Sequence, residues 1–364
     1  MQLSSTLSWL VDAASETPGA DRFLAELGGR LIEDGAPLAG GALTLALPHP
    51  LIARRTWLWR AESGEVIEAL AFLAGGPAPA EAANPAADPG RRWLAGLAAG
   101  VVHEDTVGPR PDGPALAWIG PRPFTSDEAC RLREAARFAV APLAALTARA
   151  TLTAALEAYL GRRSAARVMA GPLRRDLGET IEAALLYADL RGFTALSESH
   201  APSAVIAALD AWFDRIAGSV HAFGGEVLKF IGDGVLAIFP VAGGSRAASC
   251  AAALRAVAAA RAGMARLDET RRLQGLAPLP FGVALHLGEM LWGNIGAADR
   301  LDFTAIGPSV NLVSRLEGLC RSLDQAVLVS GAFAAETVTP LIPLGTHELR
   351  GIASPCAVFT VPES

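Results

Sequence analysis

Apolar residues change period several times along the chain, and each change marks an element. Over residues 20–33 (ADRFLAELGGRLIE), Phe23, Leu24, Leu27 and Leu31 share one face of a helix. ALTLAL at 42–47 and RRTWLWR at 54–60 alternate as strands, with prolines between them. VIEALAFL at 66–73 fits a strand or a short helix, and PALAWIG at 114–120 a further strand. Residues 74–90 (AGGPAPAEAANPAADPG) form a Pro/Ala/Gly linker or long loop. A helical pattern starts at Thr125-Ser126, with Glu128 supplying the N-cap signal, and runs to about Leu160 before Gly161 interrupts it.

Residues 161–179 (GRRSAARVMAGPLRRDLGE) are basic and broken by Gly and Pro, as in a connector. The pattern beyond them is different. TIEAALLYADL (180–190) ends as a buried strand, and SAVIAALDAWFDRIAGSVHAFGG (203–225) is an amphipathic helix closed by Gly224-Gly225. EVLKFIGDGVLAIF (226–239) is two strands around Gly232-Asp233-Gly234. Residues 245–267 form a second helix, and FGVALHLG (281–288) a strand with a short one after it near Leu291. LDFTAIG (301–307) is a strand, PSVNLVSRLEGLC (308–320) a helix with Pro308 at its start, and QAVLVS (325–330) a strand. This implies an N-terminal domain over 1–150, a helical linker or transducer over 151–179 and a second domain over 180–364. The fold class is α/β (α+β) with a mixed sheet rather than an all-parallel one.

Composition narrows the function. The chain has 364 residues, 51% hydrophobic and 19% charged, which excludes a disordered tail. A net charge of -6 gives no footprint for nucleic acid or anionic membrane. The longest charge-free stretch, Gly35 to Ala53, carries Pro37, Pro48 and Pro50 and reads as strand and turn, not as a membrane span. The N-terminus lacks the pattern of a signal peptide. Cys130, Cys250, Cys320 and Cys356 are far apart and form no CxxC pair, which suits a reducing, cytoplasmic setting. Of the 31 basic residues, Lys229 is the one lysine.

Three groups of residues suit phosphoryl chemistry. Asp189 ends an apolar strand before Leu190-Arg191-Gly192-Phe193-Thr194, where a carboxylate can hold a divalent cation and the N–H groups of the next turn can hold phosphate oxygens. Its plainer role is to cap a helix. Asp233 lies at a hairpin tip between glycines, and its plainer role is that of a turn aspartate. Two such carboxylates together would suit a pair of hard cations about 4 Å apart. Lys229 lies in an apolar strand, either as a solvated edge residue or as a compact point donor that arginine cannot replace. Asn311 and Arg315 are four apart on one helix face. They form an exposed stripe with Arg315 paired to an acid, or an amide and guanidinium aimed at a developing negative charge.

YADLRGFT (187–194), EVLKFIGDGVLAIF (226–239), GVALHLGEMLWGNIGAADRLDFTAIG (282–307) and PSVNLVSRLE (308–317) resemble, in order and spacing, the class III nucleotide cyclase catalytic domain. The resemblance covers about half the chain, residues 180–364. It implies a cyclase fold, a ferredoxin-like or palm-like mixed sheet packed with helices. It implies that Asp189 and Asp233 bind two Mg²⁺ or Mn²⁺ ions per site, with the carbonyl of Leu190 a further metal contact. The N–H groups of Gly192, Phe193 and Thr194, with Arg300 and Arg350, match triphosphate contacts. Lys229 matches the lysine that reads adenine, and Asn311 and Arg315 match the pair that orients ribose and steadies the α-phosphate.

Thr304 falls where many adenylyl cyclases of this family carry aspartate, as in the class IIIb subgroup, some of whose members respond to bicarbonate. Adenine N1 accepts and N6 donates, so a lysine can donate to N1 and a threonine hydroxyl can accept from N6. Guanine would face Lys229 with an N1–H donor, at about 1–3 kcal/mol for the unpaired group. The expectation is an adenylate cyclase, a lyase making 3′,5′-cyclic AMP and pyrophosphate from ATP. The alternatives are a catalytically silent nucleotide-binding module on the same fold, and a guanylate cyclase. A GG[DE]EF diguanylate cyclase signature is absent, since Gly224-Gly225-Glu226 continues as VLKF.

In this family each site is shared between two catalytic domains. One complete set of residues in one domain therefore implies a homodimer. The expected partners are ATP, a second copy and a small-molecule or bicarbonate effector, with neither nucleic acid nor membrane insertion. The N-terminal half resembles a GAF-type sensor, a smaller α/β domain with no readable ligand motif. Trp57, Trp59, Trp93 and Trp118 are either core residues or the lining of a pocket. A parallel pair of 125–160 helices would carry the signal, or this helix merely caps the N-terminal domain.

Overall fold

The computed structural model describes residues 3–46, 52–72, 89–110, 113–171, 174, 177–241, 243, 245–297 and 299–362. The chain divides into two compact units, Met1–Tyr159 and Leu160–Ser364.

In the first unit, α1 (Ser5–Asp12) and α2 (Ala20–Glu33) precede strands β1 (Gly40–Leu45), β2 (Ile52–Arg60) and β3 (Val66–Phe72). Then come α3 (Pro89–Leu97), β4 (His103–Thr106), β5 (Ala115–Ile119), α4 (Ser126–Phe138) and α5 (Val140–Leu160). The five strands form an antiparallel sheet in the order β3-β2-β1-β5-β4. Residues 66–72 are thus a strand, and β4 is a strand the patterning did not show. Most of the 74–90 linker lies outside the described residues, but Pro89 and Gly90 open α3, where a proline needs no N–H. The helical spacing of α2 is realised, with Phe23, Leu24, Leu27 and Leu31 all buried. Trp59 and Trp118 are also core residues, their rings edge to face at 6.4 Å.

The helix expected over 125–160 is instead two helices bent by 49°. Its start is as expected. Thr125 and Glu128 form a reciprocal capping box, and hydrogen bonding to Arg122 and then to the Thr125 N–H holds the Glu128 carboxyl down at about 2. The break follows from Pro142, which has no N–H for the Phe138 carbonyl and crowds it. No single helix among the described residues is long and apolar enough to cross a membrane, although α4 and α5 pass by length and composition as a bent pair. Their residues Leu132, Ala135, Leu143 and Leu146 belong to the core of the first unit.

The second unit begins with α6 (Arg162–Ala170) and β6 (Leu177–Leu190). The connector read from the sequence is therefore partly a packed helix, with Ser164 and Ala165 buried. Its N-terminal amides, at Arg163 and Ser164, donate to Glu226 Oε1 at 3.1 and 3.3 Å. That carboxylate comes from a strand more than sixty residues away, so local composition could not reveal it. The chain continues with α7 (Phe193–Ser199), α8 (Pro202–Ala222), β7 (Glu226–Ile231), β8 (Gly234–Pro240), α9 (Arg246–Leu273), β9 (Phe281–Gly296) and β10 (Leu301–Ile306). It ends with α10 (Pro308–Glu317), β11 (Val327–Ser330), α11 (Gly331–Ala334), β12 (Ile342–His347) and β13 (Cys356–Thr360).

Here the sheet order is β12-β13-β11-β9-β6-β8-β7, with β10 also on β9. Only β9 and β11 pair in parallel, so the sheet is mixed, as expected. β9 is one long strand where two short ones were expected, because β6 pairs along it continuously. Residues Ala184, Leu186, Ala188 and Leu190 of β6 join Trp212, Ile216, Val220, Cys250 and Val257 of α8 and α9. Ala183, Leu185 and Tyr187 join Val313 and Leu316 of α10 on the other face. Burial on both faces explains why β6 reads as a nearly unbroken apolar run.

Candidate active site

β6 lies inside the sheet between β9 and β8 and ends at Asp189-Leu190, with Asp189 opposite Gly282 of β9. Period-two alternation puts Asp189 on the face of Tyr187, toward α10. Asp233 comes from the β7–β8 hairpin beside β6. That hairpin turns at Gly232, whose φ of 65° a side chain would resist. Its tip is tied down from α8 by the buried Trp212, whose Nε1–H donates to the Asp233 carbonyl at 2.9 Å.

The two carboxyl groups meet. Burial pushes Asp189 up to about 7, the charges of Asp233 and Glu317 add to the effect, and a hydrogen bond shared with Asp233 acts the same way. A neighbouring carboxylate and burial both disfavour the charged form of Asp189. Asp189 is not a helix cap, since α7 is capped by Gly192 in the left-handed conformation with no side-chain bond. Asp233 is more than a turn residue, since its carboxyl bonds to Asp189.

Two residues at this site carried no readable signal. Glu317, at the end of α10, acts electrostatically on Asp189; burial raises its own carboxyl, while the Arg191 guanidinium pulls it down. Arg191 donates from Nη2 to the carbonyls of Gln325 at 2.6 Å and Cys320 at 3.3 Å, tying the end of β6 to the loop after α10. Both partners are main-chain groups far along the chain, so spacing shows neither contact. Gly282 makes the room, because a Cβ there would lie 2.4 Å from Glu317 Oε1.

Lys229 belongs to a different cluster. β7 is an edge strand, as the plainer reading held, but Lys229 is ion-paired with Asp302 on β10. A bulge between Val227 and Lys229 makes this contact. Without it, Lys229 would face the α8 side of the sheet; with it, Lys229 pairs with Leu236 and turns to the α10 and β10 side. Thr304 lies two residues beyond Asp302 and so shares its strand face.

Asn311 and Arg315 are both exposed on α10, and among the described residues neither side chain has a hydrogen-bond or ion-pair partner. The stripe with Arg315 paired to an acid is therefore not what forms. Arg300 lies exposed in the β9–β10 loop and Arg350 in the turn before β13, again without side-chain partners. The first amides of α7, at Phe193 and Thr194, follow Gly192 and lack carbonyls a turn earlier to bond. Among the described residues, no hydrogen bond or ion pair joins the Asp189–Asp233 pair to Lys229, Thr304, Asn311 or Arg315.

The donor set fits a hard divalent cation. Two adjacent carboxyl groups in a partly buried place have, among the described residues, no basic partner to neutralise them, and a Mg²⁺-type ion commonly takes one or two carboxylates, with water and phosphate oxygens completing its shell. Among the described residues no group of three or more His, Cys, Asp and Glu forms a fuller ligand cage.

Residues 178–336 match the family of the adenylate and guanylate cyclase catalytic domain. The match lies wholly within the second unit. Adenylate cyclase 1 of Rhizobium meliloti (strain 1021) is 32% identical over 184 residues, 50% of this chain and 27% of that protein. Adenylate cyclase 2 of the same organism is 30% identical over 207 residues, 56% of this chain and 55% of that protein. The matches thus span well under two thirds of either relative. The structure of a bacterial light-regulated adenylyl cyclase superposes with a TM-score of 0.52 at 20% identity, over 71% of this chain and 85% of that one, a likeness of fold. The class III cyclase fold expected of the C-terminal half is the fold found.

Proposed function

We propose that the cyclase domain is an adenylate cyclase, converting ATP to 3′,5′-cyclic AMP and pyrophosphate at a site completed by a second copy of the chain. The observation that carries this is the meeting of Asp189 and Asp233 at the end of β6. Asp189, Asp233 and the Leu190 carbonyl would hold the divalent cations. Such ions supply positive charge that acidifies the ribose 3′-hydroxyl and neutralises the triphosphate.

The remaining roles fall to other side chains and to main-chain amides. The Lys229 ammonium donates to adenine N1 and the Thr304 hydroxyl accepts from N6. The Asn311 amide orients the ribose. The 3′-oxygen bonds to the α-phosphorus as the bond to the bridging oxygen of pyrophosphate breaks, and the hydroxyl proton passes to water or substrate. The Arg315 guanidinium meets the charge that builds on the α-phosphoryl oxygens. The amides of Gly192, Phe193 and Thr194, with Arg300 and Arg350, hold the leaving phosphates.

Two features support a shared site. The carboxylate pair and the base-reading cluster are not bonded to each other within one chain. Large apolar side chains are exposed here, Phe230, Ile231 and Ile306 on the strands that carry Lys229 and Thr304 and Leu291 on the adjoining β9, which suits a surface covered by a second copy. The first unit, with its own core, suits a regulatory GAF-like sensor, and the whole protein suits the cytoplasm.

The test is cyclic nucleotide formation by the full chain with Mn²⁺ and then Mg²⁺, offering ATP and GTP separately, with Asp189→Ala and Asp233→Ala as blanks. Cyclic AMP from ATP, lost in both blanks, is expected. Cyclic GMP alone would overturn the base assignment, and no product under either metal would favour a silent nucleotide-binding module.

A further inference from the structure

Arg191 follows Leu190 at the end of β6, two residues from Asp189, yet its side-chain hydrogen bonds go to the turn after α10. We propose that Arg191 is a positioning residue for Arg315. It fixes the C-terminal end of α10, and so sets where the Arg315 guanidinium stands in the site completed by the second copy. This rests on the shared site proposed above.

Three observations carry the assignment. First, Arg191 is fastened through both main chain and side chain. Its N–H donates to the Pro280 carbonyl at 2.7 Å, and its Nη2 donates to the carbonyls of Gln325 at 2.6 Å and Cys320 at 3.3 Å. Cys320 is buried, and its own N–H donates back to the Glu317 carbonyl at 2.7 Å, so the grip reaches the last residue of α10. The Cys320 carbonyl also accepts from the Gln325 N–H at 2.9 Å, which closes the turn that Arg191 holds.

Second, the Arg191 Nε is buried and has no hydrogen-bond partner among the described residues, while Glu317 supplies opposite charge. Buried N–H groups normally find partners. This guanidinium therefore sits where the turn needs it rather than where its own bonding is complete. Third, Arg315 lies two residues before Glu317, exposed and without a partner among the described residues. Its place is set by the backbone of α10 alone. The buried Val313 and Leu316 fix which face of α10 turns inward. Such apolar contact is non-directional, so the bonds beyond Glu317 are what fix the end of the helix.

The experiment uses mixed dimers of the full chain, co-purified from two differently tagged copies, one Asp233→Ala and the other Arg315→Ala. Their intact site takes its aspartates from the Arg315→Ala copy and its Arg315 from the Asp233→Ala copy. Arg191→Ala is then added to either copy, and ATP turnover is measured with Mn²⁺. On the copy that supplies Arg315 it should lower kcat about 10- to 100-fold, the scale of a misplaced reacting group, with KM for ATP changed far less. On the copy that supplies the aspartates the loss should be much smaller. Arg191→Lys, which can still donate to the two carbonyls, should recover most of kcat. Each mixed dimer carries one altered Arg191, so a mere loss of folding would lower both alike. The proposal is overturned if the loss follows the copy that supplies the aspartates, or is equal on the two. If the mixed dimer with Arg191 intact makes no cyclic nucleotide while the unchanged protein does, the shared site falls first, and this proposal with it.

Discussion

Asp189 and Asp233 hydrogen-bond through their carboxyl groups at one end of the sheet, and Asp189 is pushed up to about 7 as a result of burial and the neighbouring charges. The contact exists because β8 lies directly beside β6, which sets the hairpin tip next to the strand end. A pair held in this state destabilises the metal-free fold whenever both groups must ionise. A cation bound there would relieve that strain.

The pH dependence of metal-free stability should therefore contain two opposed contributions. Asp189 binds its proton more tightly when folded than at the ordinary 3.8, so its contribution is favourable in acid and is lost as pH rises toward about 7. His286 behaves in the reverse sense. Burial pushes it down to about 4, so its contribution is present above 6.5 and is lost as pH falls toward about 4. Asp189→Asn should make stability rise with pH across this window, and His286→Gln should make it fall. Thermal melts from pH 4 to 8 without metal would show both. Added Mn²⁺ should raise the midpoint of the unchanged protein and not that of Asp189→Asn.

Arg315 is exposed and unpartnered, so its loss should spare the fold. Arg315→Ala is expected to lower kcat by about 10²–10³, with a melting midpoint close to that of the unchanged protein. A matched loss of stability would instead mark it as structural.

Gly282 tests the carboxylate cluster from the other side. A methyl group there collides with Glu317 Oε1 and lies 3.1 Å from the Cys320 Cβ. Gly282→Ala should cost about 1–3 kcal/mol by overpacking and also change the activity of the folded fraction, because Glu317, whose charge acts on Asp189, must shift. Melting curves and activity per folded molecule separate the two effects.

Trp212 tests the hairpin tip. Trp212→Phe keeps a ring against Phe281, 4.9 Å away, but removes the donor to the Asp233 carbonyl. The expected loss is about 1–3 kcal/mol, with a higher Mn²⁺ concentration needed for half-maximal activity. An unchanged metal requirement would show that the tip is held without this bond.

Much of the second unit was readable from residue order. Asp189 at a strand end, Asp233 between glycines, and Asn311 and Arg315 four apart on a helix are local patterns, and local patterns follow from backbone geometry. Lys229 was readable as a singular residue but not as a partner of Asp302. The acid two residues before Thr304 shares its face by simple alternation, but the β7 bulge that brings Lys229 there leaves no mark in composition. The bend before α5 was visible as Pro142 in the run from 125 to 160, and the periodic apolar pattern obscured it.

The order of apolar and polar residues by itself determined many of the helices and strands, the boundary between two kinds of pattern, and a set of chemically suited side chains, because each depends on neighbours within a few positions. Only the tertiary structure decided that Asp189 meets Asp233, that Glu317 and Arg191 stand beside them, that Glu226 holds the start of α6, and that Asp302 pairs with Lys229. Those contacts join residues that are distant in the chain, and several end on backbone carbonyls or amides that every residue carries. The order of strands in the sheet brings them together, and no local period encodes that order.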